Sequence, residues 1–117
     1  MEDESGYMMA LKHSLWNLLA GSRGGFTRIE IIKLLRARPY NTNQLHEKLG
    51  LDYKTIQHHM RMLTSGNIVT VGEGKKYGSM YFLSPLFEAN IQLFDEILDK
   101  VGESQINRGN KKVKRGK

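Results

Sequence analysis

The stretch NQLHEKLGLDYKTIQHHMRMLTSGNIVTV, residues 43–71, decides the fold. Its first part places Leu45 and Leu49 four residues apart, a spacing typical of the buried face of a helix. Gly50 suits the left-handed cap that ends such a helix, and Asp52 is a good N-cap for another one. Beyond this second helix the composition changes to β-branched residues, which favour a strand. The stretch therefore predicts two helices joined by a short turn and followed by a strand.

Two further helices are predicted upstream. Apolar residues at three- and four-residue steps predict a helix from about Met8 to Ala20. The residues TRIE, beginning at Thr27, predict a capping box at the start of the next helix. That helix is expected to end near Arg38, because a proline disfavours helical geometry in the residue before it.

A β-hairpin and a last helix are predicted downstream. IVTVG and MYFL predict antiparallel strands at residues 68–72 and 79–83, and Ser84 followed by Pro85 opens a helix. The order of helix, short helix, capped helix and hairpin is that of a winged helix-turn-helix. We therefore expect a mainly α fold with a small β-hairpin, namely a winged helix-turn-helix with flanking N- and C-terminal dimerisation helices.

The expected division of the chain has four parts. Residues 1–26 hold the N-terminal helix and a linker, and residues 27–83 hold the winged helix-turn-helix core. Residues 84–101 form the C-terminal dimerisation helix. Residues 102–117 are polar and basic with almost no apolar content, so we expect a disordered basic tail.

Composition excludes several classes of chemistry. The 117 residues suit one domain, and the absence of cysteine excludes disulfides, thiolate metal sites and cysteine catalysis. No segment has the roughly 20 apolar residues that a membrane-spanning helix needs, and the acidic start of the chain is unlike a secretory signal, so a cytoplasmic location is expected. With no pairing of nucleophile and base and no phosphate-binding glycine loop, neither an enzyme nor a cofactor is expected.

The charge distribution points to an anionic partner. The net charge is +6, and residues 27–66 carry seven cationic against three acidic side chains. The last segment, residues 102–117, carries six cationic side chains and one acidic one. Basic charge in the predicted helix-turn-helix is typical of proteins that bind nucleic acid.

The quoted stretch resembles the ArsR-like winged-helix transcription regulators, particularly their archaeal members. The shared pattern is a leucine-containing helix, a Leu-Gly turn, a core helix with Thr-hydrophobic-x-x-His, and a Gly-hydrophobic strand, and the resemblance runs from about Arg28 to Leu83. It implies a recognition helix over Tyr53 to Leu63 that enters DNA. Metal sensors of this family commonly use cysteines or Asp/His clusters on the terminal helices. This chain has no cysteine and its last helix has no histidine, so no metal is expected and any effector stays unknown.

The predicted recognition helix has one apolar and one polar side. Ile56, Met60 and Leu63 form the apolar stripe, with His59 beside it as an expected partly buried, hydrogen-bonded histidine. The polar side supplies the DNA-binding candidates Tyr53, Lys54, Thr55, Gln57, His58 and Arg61. Gln and Arg side chains can read adenine and guanine edges, while the others suit phosphates. The alternative, a solvated helix face, stays open, and the two histidines diverge by about 100° on a helix, which disfavours a shared metal ion.

Two further groups of residues are DNA-binding candidates. The turn residues Lys75, Lys76 and Tyr77 resemble a wing tip that contacts a minor groove or the backbone, although such a turn is also a common solubilising surface. Thr42, Asn43 and Gln44 begin the short helix, where a first helix commonly crosses the phosphate backbone. Four cations of the preceding helix are weaker candidates for backbone contacts, with simple solvation as the alternative: Arg28, Lys33, Arg36 and Arg38.

The flanking helices predict a homodimer. The last helix has apolar residues at heptad spacing, and further apolar residues lie off that stripe, so it needs two surfaces to pack against. The predicted dimer interface consists of Leu11, Leu15, Leu18, Phe87, Ile91, Phe94, Leu98 and Val101. Packing within a single chain is the alternative.

The expected function is therefore that of a homodimeric, sequence-specific regulator that binds double-stranded DNA. Its recognition helix would lie in the major groove and its basic wing on the backbone or minor groove. The alternative is a winged-helix module that binds protein within the transcription or replication machinery and contacts nucleic acid weakly.

Overall fold

The computed structural model describes residues 2–72 and 79–102, which form helices around a two-stranded hairpin. In chain order the elements are α1 (Glu2–Leu15), a π-helical turn (Trp16–Ala20), α2 (Gly25–Ala37), α3 (Thr42–Leu49), α4 (Tyr53–Ser65), β1 (Val69–Val71), β2 (Tyr81–Leu83), α5 (Pro85–Ala89) and α6 (residues 91–102). This is the predicted winged helix-turn-helix, with α3 and α4 as its two central helices. None of the helices in the described part of the chain has the length and apolar content that a membrane crossing requires.

Local hydrogen bonds hold the turn between α3 and α4. Gly50 adopts the left-handed conformation, with φ of 69°, as its position after the last leucine of α3 predicted. The backbone N–H groups of Gly50 and Leu51 both donate to His46 O, and His46 Nδ1 lies 2.8 Å from Leu51 O. Because a carbonyl only accepts, this ring nitrogen carries the proton and donates it. The angle between α3 and α4 is thus stabilised from within the turn.

The hairpin is shorter than predicted and gains a third partner. Val69 pairs with Leu83 and Val71 with Tyr81 in an antiparallel register, so each strand has only three paired residues. Tyr81 N also donates to Tyr40 O at 2.8 Å, which adds a bridge from the segment between α2 and α3. The sequence pattern did not predict this bridge, because a single extended residue has no periodicity.

The core lies where α4 meets the upstream helices and the hairpin. Ile56, Met60 and Leu63 of α4 are each 0% exposed, which confirms the predicted apolar stripe. They are part of one continuous cluster with buried side chains of α1, α2, α3, both strands, α5 and α6. Burial of this stripe leaves the opposite side of α4 as the only one that can meet a partner.

The predicted capping box at Thr27 is wrong. Helix α2 begins two residues earlier, at Gly25, and its N-cap Gly24 makes no side-chain capping bond. A capping box occurs instead at α3, where Gln44 N donates to Asn41 Oδ1 at 2.8 Å and Asn41 N donates to Gln44 Oε1 at 2.9 Å. The sequence signal for that box, Asn followed three residues later by Gln, was present in the chain and was missed.

The predicted last helix is divided in two. Ser84 caps α5 as expected, because its Oγ accepts from Phe87 N at 3.0 Å and Pro85 occupies the first turn. Helix α5 then ends at Asn90, whose side-chain Nδ2 donates to Leu86 O at 2.9 Å. Asparagine side chains compete in this way with helical hydrogen bonding, so the break between α5 and α6 falls at Asn90.

Most of the residues predicted for the dimer interface lie in the core of the single chain. Packing within one chain was the alternative that the sequence left open. Five of the predicted interface residues are buried there: Leu11, Leu15, Leu18, Phe87 and Phe94. The other three, Ile91, Leu98 and Val101, are partly buried and pack against the same core. These five buried side chains therefore have no surface free for a second subunit, because the break at Asn90 lets α5 and α6 both pack inward.

Candidate nucleic-acid interface

The exposed side of α4 presents the predicted polar residues as one surface. Tyr53, Gln57 and Arg61 follow one another at four-residue steps, so they lie in a row along the helix. Lys54 and His58 form a parallel row next to it, and all five are exposed. We call these five residues the reading face. Thr55 is exposed as well, at the N-terminal end of α4.

The start of α3 contributes fewer accessible side chains to the candidate DNA-binding surface than the sequence predicted. Asn43 is exposed, but Thr42 is only 9% exposed. Gln44 is half-buried, and its side-chain oxygen is held in the capping box with Asn41. The sequence placed all three residues 42–44 on the phosphate backbone. The structure leaves Asn43 as the freely accessible one, because the first turn of α3 packs against the core.

A polar cleft joins the start of α3, the reading face and the hairpin. It has a volume of about 230 Å³. Its walls come from residues 41–43, from Tyr53 and Gln57 of the reading face, and from Val71, Ser79 and Tyr81 of the hairpin. The fold thus brings two predicted groups of site residues, the start of α3 and the reading face, together with the hairpin at one edge. The wing-tip candidates Lys75, Lys76 and Tyr77 lie outside the described residues, and so does the basic segment from residue 103 to the end.

The cations of α2 have partners within the chain. Arg36 Nη1 lies 3.1 Å from Asp95 Oδ1 of α6, and Lys33 Nζ lies 3.7 Å from Glu30. The guanidinium of Arg38 stacks over the Tyr40 ring at 4.5 Å. Arg28 is only 2% exposed and lies in the core, so the interpretation of this residue as a surface cation is wrong.

His59 lies on the buried side of α4, as predicted. It is 6% exposed, and its Nδ1 lies 3.0 Å from Arg28 Nη1. Burial lowers the pKa of the His59 imidazole below its ordinary value, and the charge of Arg28 and then that of His58 lower it further. A neutral His59 follows, and His58, whose ring points away with its centroid 5.7 Å from that of His59, is the histidine that solvent reaches.

The exposed side of α4 is polar and carries cationic side chains, and comparison with known proteins places this helix in a family. Residues 26–71 match the family model described as the bacterial regulatory proteins of the arsR family. In the structure these residues form a helix-turn-helix. This element contains α2, α3, α4 and β1, and therefore the whole reading face.

Solved structures share the fold of this chain. The transcriptional regulator HlyU from Vibrio vulnificus superposes with a TM-score of 0.58 at 22% identity, over 83% of this chain and 93% of that one. A second match is the homodimeric winged helix-turn-helix DNA-binding domain of a possible ArsR-family regulator from Mycobacterium bovis. It has a TM-score of 0.59 at 14% identity, over 85% of this chain and 83% of that one. At these identities the superpositions show the fold, and they cover the flanking helices as well as the core.

The comparisons do not support every part of the resemblance seen in the sequence. No curated protein matches the chain in sequence. The specific resemblance to archaeal members has no support from the matches above, which are bacterial. The ArsR family is one of DNA-binding transcriptional regulators and not of enzymes, in agreement with the function class expected from the sequence.

Metal ligands are not grouped in this chain as far as the structure describes it. Across residues 2–72 and 79–102, no three His, Cys, Asp or Glu side chains lie close enough together to hold an ion. His46 and His59 each use Nδ1 in a hydrogen bond within the fold. These contacts give both histidines structural roles in the helix-turn-helix.

Proposed function

We propose that the protein is a transcriptional regulator that binds double-stranded DNA in a sequence-specific way, with α4 in the major groove. The single observation that carries this proposal is the reading face. Five exposed side chains able to bond phosphates or base edges lie on the side of α4 opposite a stripe that is completely buried. The match of this segment to the ArsR family supports the same assignment.

The residues of the reading face have different proposed roles. Gln57 and Arg61 lie in the middle and second half of α4, one helical turn apart, and are assigned to adenine and guanine edges. Lys54 and Tyr53 lie in the first turn and are assigned to phosphates, together with Thr55 and with Asn43 across the polar cleft. Lys75, Lys76 and Tyr77 remain proposed wing contacts.

Binding of duplex DNA tests this proposal. A selection from random duplexes gives the preferred site, and fluorescence anisotropy then measures affinity as salt is varied. Arg61→Ala is expected to cost about 1–3 kcal/mol on the selected site and to relax specificity at one position. Lys54→Ala is expected to weaken binding to all sequences and to lower the salt slope by about 1.

Arg36→Ala is the matched control. It removes the same charge as Arg61→Ala, but its side chain pairs with Asp95 on α6 and lies away from the reading face. Equal affinities for Arg61→Ala, Gln57→Ala, His58→Ala and the wild type would refute the major-groove model. A wild type that binds no duplex would favour the alternative of a module that binds protein.

We also propose that the regulator is a homodimer, with the two copies meeting at α1 and α6. A groove of about 520 Å³ lies between these helices and is lined by Met9, Trp16, Leu93 and Ile97, with Lys12, His13, Glu96 and Lys100 at its sides. Met9 is 69% exposed and Trp16 is 44% exposed, and Tyr7 adds a further exposed ring. An exposed apolar surface of this kind marks an interface, and its mixed charges can pair across a two-fold axis.

The dimer has its own test. Sedimentation equilibrium is expected to show a dimer for the wild type and a monomer for Trp16→Glu, because a carboxylate would replace a large apolar side chain of the proposed interface and would lose its hydration there. Phe82→Glu is the control, since Phe82 is also an exposed aromatic residue, at 41%, but lies on the hairpin. A wild type that stays monomeric at high concentration would contradict the dimer and leave the α4 proposal in place. A dimer would place two recognition helices about 34 Å apart and favour a pseudo-palindromic site.

A further inference from the structure

Arg28 is a buried cation that joins three separate segments of the chain. Its Nε donates to Leu18 O at 2.8 Å, in the π-helical turn that follows α1. Its Nη1 lies 3.0 Å from His59 Nδ1 on α4, and its Nη2 donates to Ser22 Oγ in the turn before α2. One side chain of α2 therefore contacts the end of α1, the following turn and the recognition helix at the same time.

The charge of Arg28 is balanced by a helix end instead of a carboxylate. Among the residues that the structure describes, the buried polar and charged side chains are Arg28, Thr42, His59 and Ser84, so no acidic side chain is buried with it. A buried charge without compensation is costly. Leu18 O belongs to the last turn of a helix, where carbonyl groups lack helical partners and the helix dipole is negative. The end of α1 therefore determines where the guanidinium lies.

His59 must accept the hydrogen bond from Arg28. A guanidinium has only donors, so the lone pair of His59 Nδ1 faces Nη1, and the proton of the neutral ring is on Nε2. A second proton on His59 would remove this lone pair and place two cations about 3 Å apart in the core. Protonation of the ring therefore breaks the link between α2 and α4.

We propose that Arg28 is a positioning residue for DNA binding, because it holds the recognition helix α4 against the π-helical turn that follows α1 through His59. This proposal rests on the proposed function, since Arg28 would act on DNA only through α4. It goes beyond that function by connecting the α1–α6 surface to the orientation of the reading face. A change in the position of α1 would move α4 through a single side chain.

The pH dependence of binding separates this role from simple charge effects. Two charged or titratable groups lie near the His59 ring, Arg28 of α2 and His58 of α4 itself. Gly24, in the turn before α2, also packs against this ring and is uncharged. Added positive charge on the protein in acid would strengthen its attraction to phosphates, so charge alone predicts tighter binding in acid. Loss of the bond between Arg28 and His59 predicts weaker binding in acid. The two effects have opposite signs.

The experiment measures duplex affinity by anisotropy at fixed salt, between about pH 7.5 and 4.5, because the range must extend well below the ordinary histidine pKa to reach the lowered pKa of His59. The variants are Arg28→Lys, which keeps the charge but cannot reach all three acceptors, and His59→Gln, which cannot titrate. Arg36→Lys is the matched control, as an exposed arginine on the same helix. Circular dichroism establishes that each variant is folded at the temperature of the assay.

We expect wild-type affinity to fall on acidification, and His59→Gln to lose that fall. Arg28→Lys is expected to bind about tenfold more weakly at neutral pH, as for loss of one buried hydrogen bond to a charged group. Arg36→Lys is expected to behave as the wild type. Affinity that rises in acid equally for the wild type and His59→Gln, or an Arg28→Lys variant that binds as tightly as Arg36→Lys, would overturn the proposal.

A second readout needs no DNA and separates failure of this proposal from failure of the proposed function. In the free protein, NMR titration should show the pKa of His59 rising in Arg28→Met, which removes the adjacent charge. Hydrogen exchange of the α4 amides should be faster in Arg28→Lys than in Arg36→Lys. If the wild type binds no duplex but both results are obtained, the link between Arg28 and α4 stands and only the DNA-binding function fails. If His59 titrates alike in the wild type and Arg28→Met, the link itself is absent.

Discussion

Gly25→Ala tests the junction between α1 and α2 with the smallest possible change. Gly25 is the first residue of α2, and its backbone lies directly against the π-helical turn. A Cβ added there would lie 2.0 Å from Leu19 O and 2.7 Å from Leu19 C. Both are backbone atoms within a helical turn, so no side-chain rotation can relieve the contact.

The expected loss in the free energy of unfolding of Gly25→Ala follows from those distances. Real Cβ contacts essentially never fall below 3.0 Å, so the end of α1 and the start of α2 must separate by at least 1 Å. Overpacking of this kind costs about 1–3 kcal/mol, while alanine recovers less than about 1 kcal/mol of helix propensity at the first helical position. We expect a net loss of about 2 kcal/mol in the free energy of unfolding, which lowers Tm by roughly 8 °C for a domain of this size.

Thermal and urea denaturation followed by circular dichroism measure this loss. Gly21→Ala is the matched control in the same turn, because its Cβ would meet Asn17 and Trp16 backbone atoms at ordinary distances of 3.5–3.6 Å. It is expected to change stability by less than about 0.5 kcal/mol. A Gly25→Ala protein as stable as Gly21→Ala would show that α2 does not begin against Leu19, and the placement of Arg28 between them would be wrong too.

Three further predictions concern stability. The pKa of His59 is lower in the folded chain than in the unfolded one, so its contribution to the free energy of unfolding is fully present above about pH 6.5 and is lost as pH falls. Urea denaturation at two pH values should show this loss in the wild type and not in His59→Gln. Ser84→Ala removes both the cap of Phe87 N and the hydrogen bond that Ser84 Oγ donates to Asn67 O at 2.8 Å. It should lower the free energy of unfolding in chemical denaturation by about 1–2 kcal/mol. An unchanged denaturation midpoint would contradict the cap. Asn67 has φ of 62°, a left-handed conformation that glycine adopts at lower cost than alanine. Asn67→Ala should therefore be less stable than Asn67→Gly by about 1 kcal/mol. The reverse order of stability in thermal melts would exclude a left-handed residue there.

Local chemistry made α3, α4 and the turn between them predictable. Leu45 and Leu49 share one face, Gly50 has a low cost in the left-handed conformation, and the apolar stripe of α4 follows a helical period. Each of these signals lies within a few residues of the structure it determines. The reading face was predictable for the same reason, since it is the side opposite the stripe.

Contacts between distant residues were not predictable in this way. Arg28 had the same sequence signature as its exposed neighbour Arg36, and only the carbonyl of Leu18 and the ring of His59, 10 and 31 residues away, explain its burial. Likewise, Gly24 and Gly25 have no periodic signal in the sequence, whereas the structure shows that they let His59 of α4 and the π-helical turn approach the start of α2 closely.

The sequence by itself determined that the protein has a helix with one apolar and one cationic, hydrogen-bonding side, inside a winged helix-turn-helix. Periodicity and capping residues are local properties of the chain, so they are visible before it folds. Only the tertiary structure decided which apolar residues of α1, α5 and α6 are core and which remain at the surface. It also decided that a buried arginine joins α1 to the recognition helix. Those outcomes depend on which helix ends meet in space, and spacing along the chain does not encode that.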